Sequence, residues 1–149
     1  LSTIAGRQKP GDFVLFGVDL VKDVGRLERA YDDSLGVTAA FNKNVLRVVN
    51  GQLDADFDVD RFEHVARFDP GNEWIEMLLR STTDQRVTIE ALELDVDFAA
   101  GELMRTEVSA KFRRDRFEAE LTAVGLEPVM WLTDRAGDFA VSVSQAVEV

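Results

Sequence analysis

The sequence predicts an α/β domain that is interrupted by an α+β segment. An apolar run near the start, a central block in which apolar and polar residues alternate, and a final helix followed by a hairpin support this fold class. The predicted order is one strand, two helices, four strands, one helix and a hairpin. A chain of 149 residues with 46% hydrophobic content is long enough to bury the core of one domain.

The first strand and the first helix are predicted from apolar spacing. The run from Phe13 to Val18 is apolar almost without interruption, which is typical of a strand buried on both faces. Val24, Leu27 and Tyr31 then recur at helical spacing, as on one face of a short helix. Tyr31 is the only tyrosine of the chain, and from its spacing alone we expect a core residue whose hydroxyl reaches the surface.

A second helix is predicted after the turn at residues 32–36. Asp32 and Asp33 are interpreted as turn and capping residues. Asn50 and Gly51 are expected to end the helix. Its apolar stripe is predicted to consist of Val37, Phe41, Val45, Val48 and Val49.

The acidic segment that follows resembles a calcium loop only in part. Aspartates alternate from Asp54 to Asp58, but an EF-hand loop needs a glycine at its sixth position and a glutamate at its twelfth, where Val59 and Val65 stand. We therefore expect a solvated connection in which Asp58 caps a single helical turn and Phe62 is buried.

Residues 64–112 are predicted to form four strands. Alternating apolar residues on both sides of the turn at 69–72 indicate two antiparallel strands. A third strand is predicted from 87–98, with an irregularity at 90–91 where the alternation slips by one position. Residues 102–112 complete the group.

The C-terminal part is predicted to return to the α/β domain. Phe117, Leu121 and Val124 lie on one helix face, Gly125 is the expected C-cap, and a hairpin follows with its turn at 135–138. The first strand has no earlier strand beside it, and the sequence begins without a methionine. We therefore expect the chain to be the tail of an α/β domain from a longer protein.

Charge and composition narrow the classes of function. The 17 basic and 28 acidic residues give a net charge of −11, which disfavours nucleic acid and anionic membrane surfaces as partners. The chain has no cysteine, which fits a reducing cytoplasm. No apolar run reaches the roughly 20 residues that a membrane helix needs.

Few residues could carry chemistry by spacing alone. His64 is the only histidine, which excludes a two-histidine metal site, and we expect it to be a surface or structural residue. No glycine-rich nucleotide motif occurs. Glu107 and Ser109 are two residues apart on a predicted strand, so they share a face, and a carboxylate with a hydroxyl there could bind both sides of an imidazole. A pair exposed to solvent without function is the alternative.

Longer stretches add a family resemblance. The segments GVDLVKD, RLERAYDDSLGVTAAFNKNVL, DFDVDRFEHVA, EMLLRS, GELMRTEVSAKF and WLTDRAGDFAVSV resemble the histidine-specific, S-adenosylmethionine-dependent N-methyltransferases of ergothioneine biosynthesis. The resemblance covers essentially the whole chain but only the C-terminal half of those enzymes. It implies the C-terminal part of a class I Rossmann-like methyltransferase, with a substrate-binding subdomain and a terminal β-hairpin.

The resemblance also implies a division of the chain. Residues 1–21 would hold a late strand of the Rossmann-like domain, 22–112 the histidine-binding subdomain, and 113–149 the last helix and the antiparallel hairpin of the same sheet. S-adenosylmethionine is the implied cofactor, with its main site in the N-terminal part that this chain lacks. A cytoplasmic protein, monomeric at full length, is expected.

Four residues are carried over as substrate-binding. Glu107 and Ser109 would hydrogen-bond the imidazole of histidine, Tyr31 would hold its amino-acid end, and Met77 would form a wall of the pocket. Thr38 is a weaker neighbour. The implied reaction transfers three methyl groups in turn to the α-amine of L-histidine and gives hercynine.

Two other functions stay open at this point. A relative could methylate another aromatic amino acid, such as tryptophan, although an indole offers only one ring N–H to the pair at 107 and 109. Alternatively, the chain could be a free-standing half that binds a ligand or a protein without catalysis.

Overall fold

The structure is a computed structural model that describes residues 1–148. It contains two compact units: unit 1 comprises Leu1–Lys22 with the chain from Ala110 onward, and unit 2 comprises Asp23–Ser109. The last residue of the predicted segment 113–149 lies outside the described residues. The elements are α1 (Ser2–Ala5), β1 (Phe13–Asp19), α2 (Val24–Tyr31), α3 (Val37–Leu53), β2 (Phe62–Asp69), β3 (Trp74–Ser81), β4 (Gln85–Ile89), β5 (Leu94–Phe98), β6 (Leu103–Ala110), α4 (Arg114–Thr122), β7 (Leu126–Thr133) and β8 (Phe139–Ala146).

Unit 1 is a three-stranded sheet with α4 packed on it. The strand order is β1-β8-β7, and both pairs are antiparallel. The strand β8 presents small residues at alternate positions from Ala140 to Ala146, which lets the aromatic side chain of Phe117 on α4 pack against the sheet. The buried core of this unit consists of Val18, Phe117, Leu121, Leu126, Ala140 and Ala146.

The prediction that β1 is buried on both faces is wrong for the described residues. Val14, Phe16 and Val18 pack in the core of unit 1. Phe13 and Leu15, which point to the opposite face, are 63% and 67% exposed. β1 is an edge strand, and within residues 1–148 its second face has no helix on it, so only every other side chain is covered.

Unit 2 combines a sheet, a separate hairpin and two helices. Its sheet has the order β2-β3-β6, and β2 pairs antiparallel with β3 around the predicted turn. Asp58 caps a single 3-10 turn, Val59–Arg61, and Phe62 is fully buried, as predicted. The main core of the unit consists of Leu46, Phe57, Phe62, Leu79, Val87, Ile89 and Phe98.

The predicted third strand is instead a hairpin of two strands. β4 and β5 pair antiparallel, and a 3-10 turn at Glu90–Leu92 separates them. The slip in alternation marks this turn rather than a bulge. Glu93 closes the turn in the left-handed region, with a φ of 49°, where a glycine would be the expected signal.

The helix α3 buries a largely different face from the predicted one, although Val49 of the predicted stripe does pack against the core of unit 2. Asn42 and Leu46 are its buried residues. Val37 and Phe41 of the predicted stripe are 65% and 66% exposed. The helix also continues past the predicted end at Asn50 and Gly51 to Leu53, and the Asn50 side chain instead bonds both backbone polar groups of Phe57.

Candidate functional site

The helix α2 places Tyr31 at its last position. Asp23 caps the start of the helix by accepting a hydrogen bond from the Arg26 backbone N–H at 2.8 Å. Leu27, which is 1% exposed, anchors the helix in a small core. One turn later Tyr31 is half-buried, and its hydroxyl lies 2.7 Å from Oγ of Ser109 on β6. The lone tyrosine therefore packs as predicted, and its hydroxyl meets a residue of the predicted site.

The strand β6 carries Glu107 and Ser109 two positions apart. Ser109 is half-buried, whereas Glu107 is exposed. Among residues 1–148 nothing donates a hydrogen bond or forms an ion pair with the Glu107 carboxylate. It lines a depression of about 220 Å³ in unit 2. The other lining residues are Phe41, Asn42, Asn44, Val45 and Thr106.

Met77 lies in the same small core as Tyr31. It is 4% exposed on β3, and it forms one cluster with Leu27 and Ile75, against which Tyr31 packs. The structure therefore brings Tyr31 together with both Met77 and Ser109. Glu107 is linked to this group only by its place on β6, two positions before Ser109.

The acidic turn before α3 has a structural role. The Asp33 carboxylate accepts hydrogen bonds from the backbone N–H groups of Leu35, Val37 and Thr38 at 3.1, 3.1 and 2.8 Å. The bonds from Thr38 and Val37 are the main reason that the pKa of Asp33 falls from 3.8 to about 2. The interpretation of Asp33 as a capping residue is confirmed. The Thr38 side chain also helps to lower the pKa of this carboxylate, so it serves the same cap.

Several residues beside the site were missed by sequence reasoning. Asn42 and Thr106 hydrogen-bond each other, and Asn42 also contacts His64, whose interpretation as a structural residue is confirmed. The signal for Asn42 was its spacing from Leu46 and Val49, which places a polar residue within a buried helical stripe. No comparable signal marked Thr106.

The described part of the chain holds neither a cluster of metal-binding side chains nor a helix that could span a membrane. Residues 1–148 contain no group of His, Asp and Glu side chains arranged to hold a metal ion. None of the helices in this range is both long and apolar enough to cross a membrane. What the site does offer is a carboxylate acceptor at Glu107 and, two positions further along β6, the Ser109 hydroxyl, which is bonded to that of Tyr31. This set suits a small polar ligand with ring N–H groups.

Known proteins resemble the chain along almost its whole length. The model of a family described as histidine-specific methyltransferase, SAM-dependent, matches residues 1–146. A histidine N-alpha-methyltransferase of Mycolicibacterium smegmatis (strain ATCC 700084 / mc(2)155) is 60% identical over 144 residues, which are 97% of this chain and 45% of the relative. A second enzyme of the same name, from Mycobacterium tuberculosis (strain CDC 1551 / Oshkosh), is 58% identical over the same share.

These similarities identify the family but cover only part of the relatives. The chain spans about half the length of the two enzymes that it matches. The mixed α/β architecture with antiparallel sheets is consistent with part of a methyltransferase. Because the family match extends over nearly all of the chain, the protein belongs to the SAM-dependent, histidine-specific methyltransferase family.

Proposed function

We propose that this chain supplies the histidine-binding part of an enzyme that methylates the α-amino group of L-histidine. The observation that carries the proposal is the 2.7 Å bond between Tyr31 and Ser109. Ser109 lies on the strand that also carries Glu107, whose carboxylate has no partner among residues 1–148, in a chain 60% identical to a histidine N-alpha-methyltransferase. The product would be hercynine, an intermediate of ergothioneine biosynthesis.

Glu107 and Ser109 are proposed to recognise the imidazole ring. A neutral imidazole has one N–H donor and one acceptor nitrogen. The Glu107 carboxylate can accept from the N–H, and the Ser109 hydroxyl can satisfy the other nitrogen. An indole has no second ring nitrogen, so tryptophan could not form the ring contact to the Ser109 hydroxyl, and histidine should be preferred.

Tyr31 and Met77 are proposed to complete the pocket. Tyr31 is proposed to hold the amino-acid end of a bound histidine, and its hydroxyl is already fixed next to the proposed ring contact by its bond to Ser109. The buried Met77 would close the wall beside the ring. Together these contacts would hold the substrate in one orientation, which is the contribution to catalysis that we assign to unit 2.

The described residues do not fit a site for S-adenosylmethionine. The segment from β1 to α2 contains no glycine-rich turn, and the start of α2 is capped by the negative Asp23 carboxylate. The glycine within β1, Gly17, faces the Phe139 ring, which a Cβ atom would approach to 2.9 Å, so that position is not a cradle for a ligand. We propose that S-adenosylmethionine binds to a segment that corresponds to the unmatched part of the relatives.

Unit 1 is proposed to be the last part of a class I Rossmann-like sheet. In this interpretation β1 is a late strand of that sheet, and β7 with β8 is its terminal antiparallel hairpin. The exposed apolar side chains of Phe13 and Leu15 on an edge strand support it, since further elements could pack there. Unit 2 would then be the substrate subdomain. A cytoplasmic location and a monomeric state remain predictions.

The longest natural polypeptide that contains this sequence should be assayed with S-adenosylmethionine and either L-histidine or L-tryptophan. Mass spectrometry should detect one, two and three added methyl groups on histidine only. Equal turnover of tryptophan would favour the alternative of a methyltransferase for another aromatic amino acid. If calorimetry showed ligand binding but no methyl transfer occurred, a binding protein without catalysis would be favoured instead.

A further inference from the structure

A buried amide in unit 2 connects several elements around the proposed pocket. Asn42 on α3 is 4% exposed. Its Nδ2 lies 3.2 Å from the backbone oxygen of Leu78 on β3 and 2.9 Å from Nδ1 of His64 on β2. Its Oδ1 lies 2.5 Å from Oγ1 of Thr106 on β6. The other ring nitrogen of His64, Nε2, lies 2.7 Å from the backbone oxygen of Tyr31.

The chemistry of these atoms determines which of them carries each hydrogen. A backbone carbonyl only accepts, so the Asn42 atom beside Leu78 must be the NH₂ group. This group then donates its second hydrogen to Nδ1 of His64, which must carry a lone pair. Nε2 therefore carries the ring hydrogen and donates it to the oxygen of Tyr31. Every donor meets an acceptor only when His64 is neutral with its hydrogen on Nε2.

The network ends on the backbone of the residues that form the proposed pocket. His64 holds the carbonyl of Tyr31, whose hydroxyl bonds Ser109. The hydroxyl of Thr106 lies 2.9 Å from the carbonyl oxygen of Met77 and also faces Asn42. Thr106 directly precedes Glu107 in β6. Each of the four proposed substrate contacts is thus attached to this network or lies next to it.

We propose that Asn42, His64 and Thr106 are positioning residues for histidine binding. They act by hydrogen-bonding the backbone carbonyls of Tyr31 and Met77. Through Thr106 they also fix the position of β6 next to Glu107. The inference rests on the proposed function, because it assumes that this pocket binds histidine. Loss of one such support shifts groups that must be placed to within about 1 Å, so it weakens binding by displacing the proposed substrate contacts.

The test compares variants that each remove or keep the hydrogen-bonding group of one network residue. Thr106→Val removes the hydroxyl at nearly constant volume, and Thr106→Ser keeps it. Asn42→Asp removes both donors of the amide. The matched control is Asn50→Asp, because Asn50 lies on the same helix and makes a similar pair of bonds, at 2.8 and 2.9 Å, to Phe57 away from the pocket.

Two measurements should be made on the longest natural polypeptide that contains this sequence. The first is KM and kcat for L-histidine together with KM for S-adenosylmethionine. The second is amide hydrogen exchange without substrate over residues 27–35 and 103–110. The free energy of unfolding of every variant is measured in parallel, so that a general loss of stability can be recognised.

Thr106→Val and Asn42→Asp are expected to raise KM for histidine about tenfold or more, with KM for the cofactor unchanged. Both variants should also speed amide hydrogen exchange at 27–35 and 103–110. Thr106→Ser should keep the wild-type KM and exchange rates, and Asn50→Asp should change neither the KM for histidine nor the exchange rates. The inference would be overturned if KM for histidine were unchanged in both Thr106→Val and Asn42→Asp, or if it rose equally in the control Asn50→Asp.

Failure of the proposed function gives a different result. If the wild-type protein neither binds nor methylates histidine, the proposed function is wrong, whereas hydrogen exchange still decides whether the network holds Tyr31 and β6. Should exchange in Thr106→Val match the wild type, the network does not position these segments. If Asn42→Asp does not fold, the Thr106→Val and Thr106→Ser pair alone decides the question.

Discussion

Replacing Glu107 by glutamine should separate ligand binding from folding. The carboxylate is exposed and has no partner among residues 1–148, so the fold does not depend on its charge. We expect the free energy of unfolding to change by less than about 0.5 kcal/mol. Binding should change far more, because the charged acceptor for the imidazole N–H is lost.

The size of the binding effect follows from the setting of the carboxylate. A hydrogen bond to a charged group contributes about 1.5–3 kcal/mol when it is well protected from water. Glu107 lines an open depression of about 220 Å³, so the lower part of that range applies. This corresponds to a Kd for L-histidine that is weaker by about 10- to 30-fold.

Isothermal titration calorimetry with L-histidine and urea unfolding would test the Glu107→Gln prediction. Glu127→Gln is a charge-matched control, because Glu127 is exposed on β7 in unit 1 and outside the proposed pocket. A Kd for Glu107→Gln within about twofold of the wild type would refute the assigned role. A large decrease in the free energy of unfolding of Glu107→Gln would refute the claim that the fold does not depend on this carboxylate.

Three further variants test the site, the cap and the core. Tyr31→Phe removes the bond to Ser109, so calorimetry should show weaker histidine binding, and urea unfolding should show a stability loss of about 0.5–1.5 kcal/mol; no change in either would contradict the pairing. Asp33→Asn should be compared with wild type in urea at several pH values: the folded pKa of about 2 lies below the ordinary 3.8, so the carboxylate stabilises the fold above about pH 4 and this advantage disappears as the pH falls towards 2. If the difference in the free energy of unfolding between Asp33→Asn and the wild type does not vary with pH, the role of the Asp33 carboxylate as a cap is contradicted. Ser142→Ala should raise the free energy of unfolding by about 0.5–1 kcal/mol, because its buried hydroxyl has no partner among the described residues. Ser81→Ala should lower it, since that equally buried hydroxyl donates a bond of 2.7 Å; equal effects at the two serines would contradict the reasoning.

Local spacing predicted most of the secondary structure. The apolar run at β1, the helical spacing in α2 and the alternation in β2, β3 and β6 each gave an element of the right type. These patterns report which side chains share a face, and this depends only on neighbouring residues. The exceptions are the short helix α1, which was not predicted, and the hairpin of β4 and β5, whose turn ends at Glu93 in a left-handed conformation without a glycine to mark it.

Tertiary context explains the two errors in burial. The helix α3 is apolar on two faces, and nothing in its sequence says that the face with Leu46 meets the core while the face with Phe41 stays exposed. Likewise, β1 reads as a fully buried strand, although only the side with Phe16 is covered in the described residues. Burial depends on which elements pack against a face, and periodicity does not contain that information.

The site was predictable only in part. The shared face of Glu107 and Ser109 follows from strand geometry alone. The contact between Tyr31 and Ser109 spans 78 positions and depends on how α2 packs on the sheet through Leu27, which spacing cannot show. The family resemblance supplied the roles of these residues, and those roles stay predictions.

A crystal structure of the longest natural polypeptide that contains this sequence, bound to L-histidine, would test the central claim most directly. We predict the imidazole nitrogens within about 3.2 Å of the Glu107 carboxylate and of the Ser109 hydroxyl, with Tyr31 at the amino-acid end. Histidine bound elsewhere, or a ring more than about 5 Å from both side chains, would contradict the account.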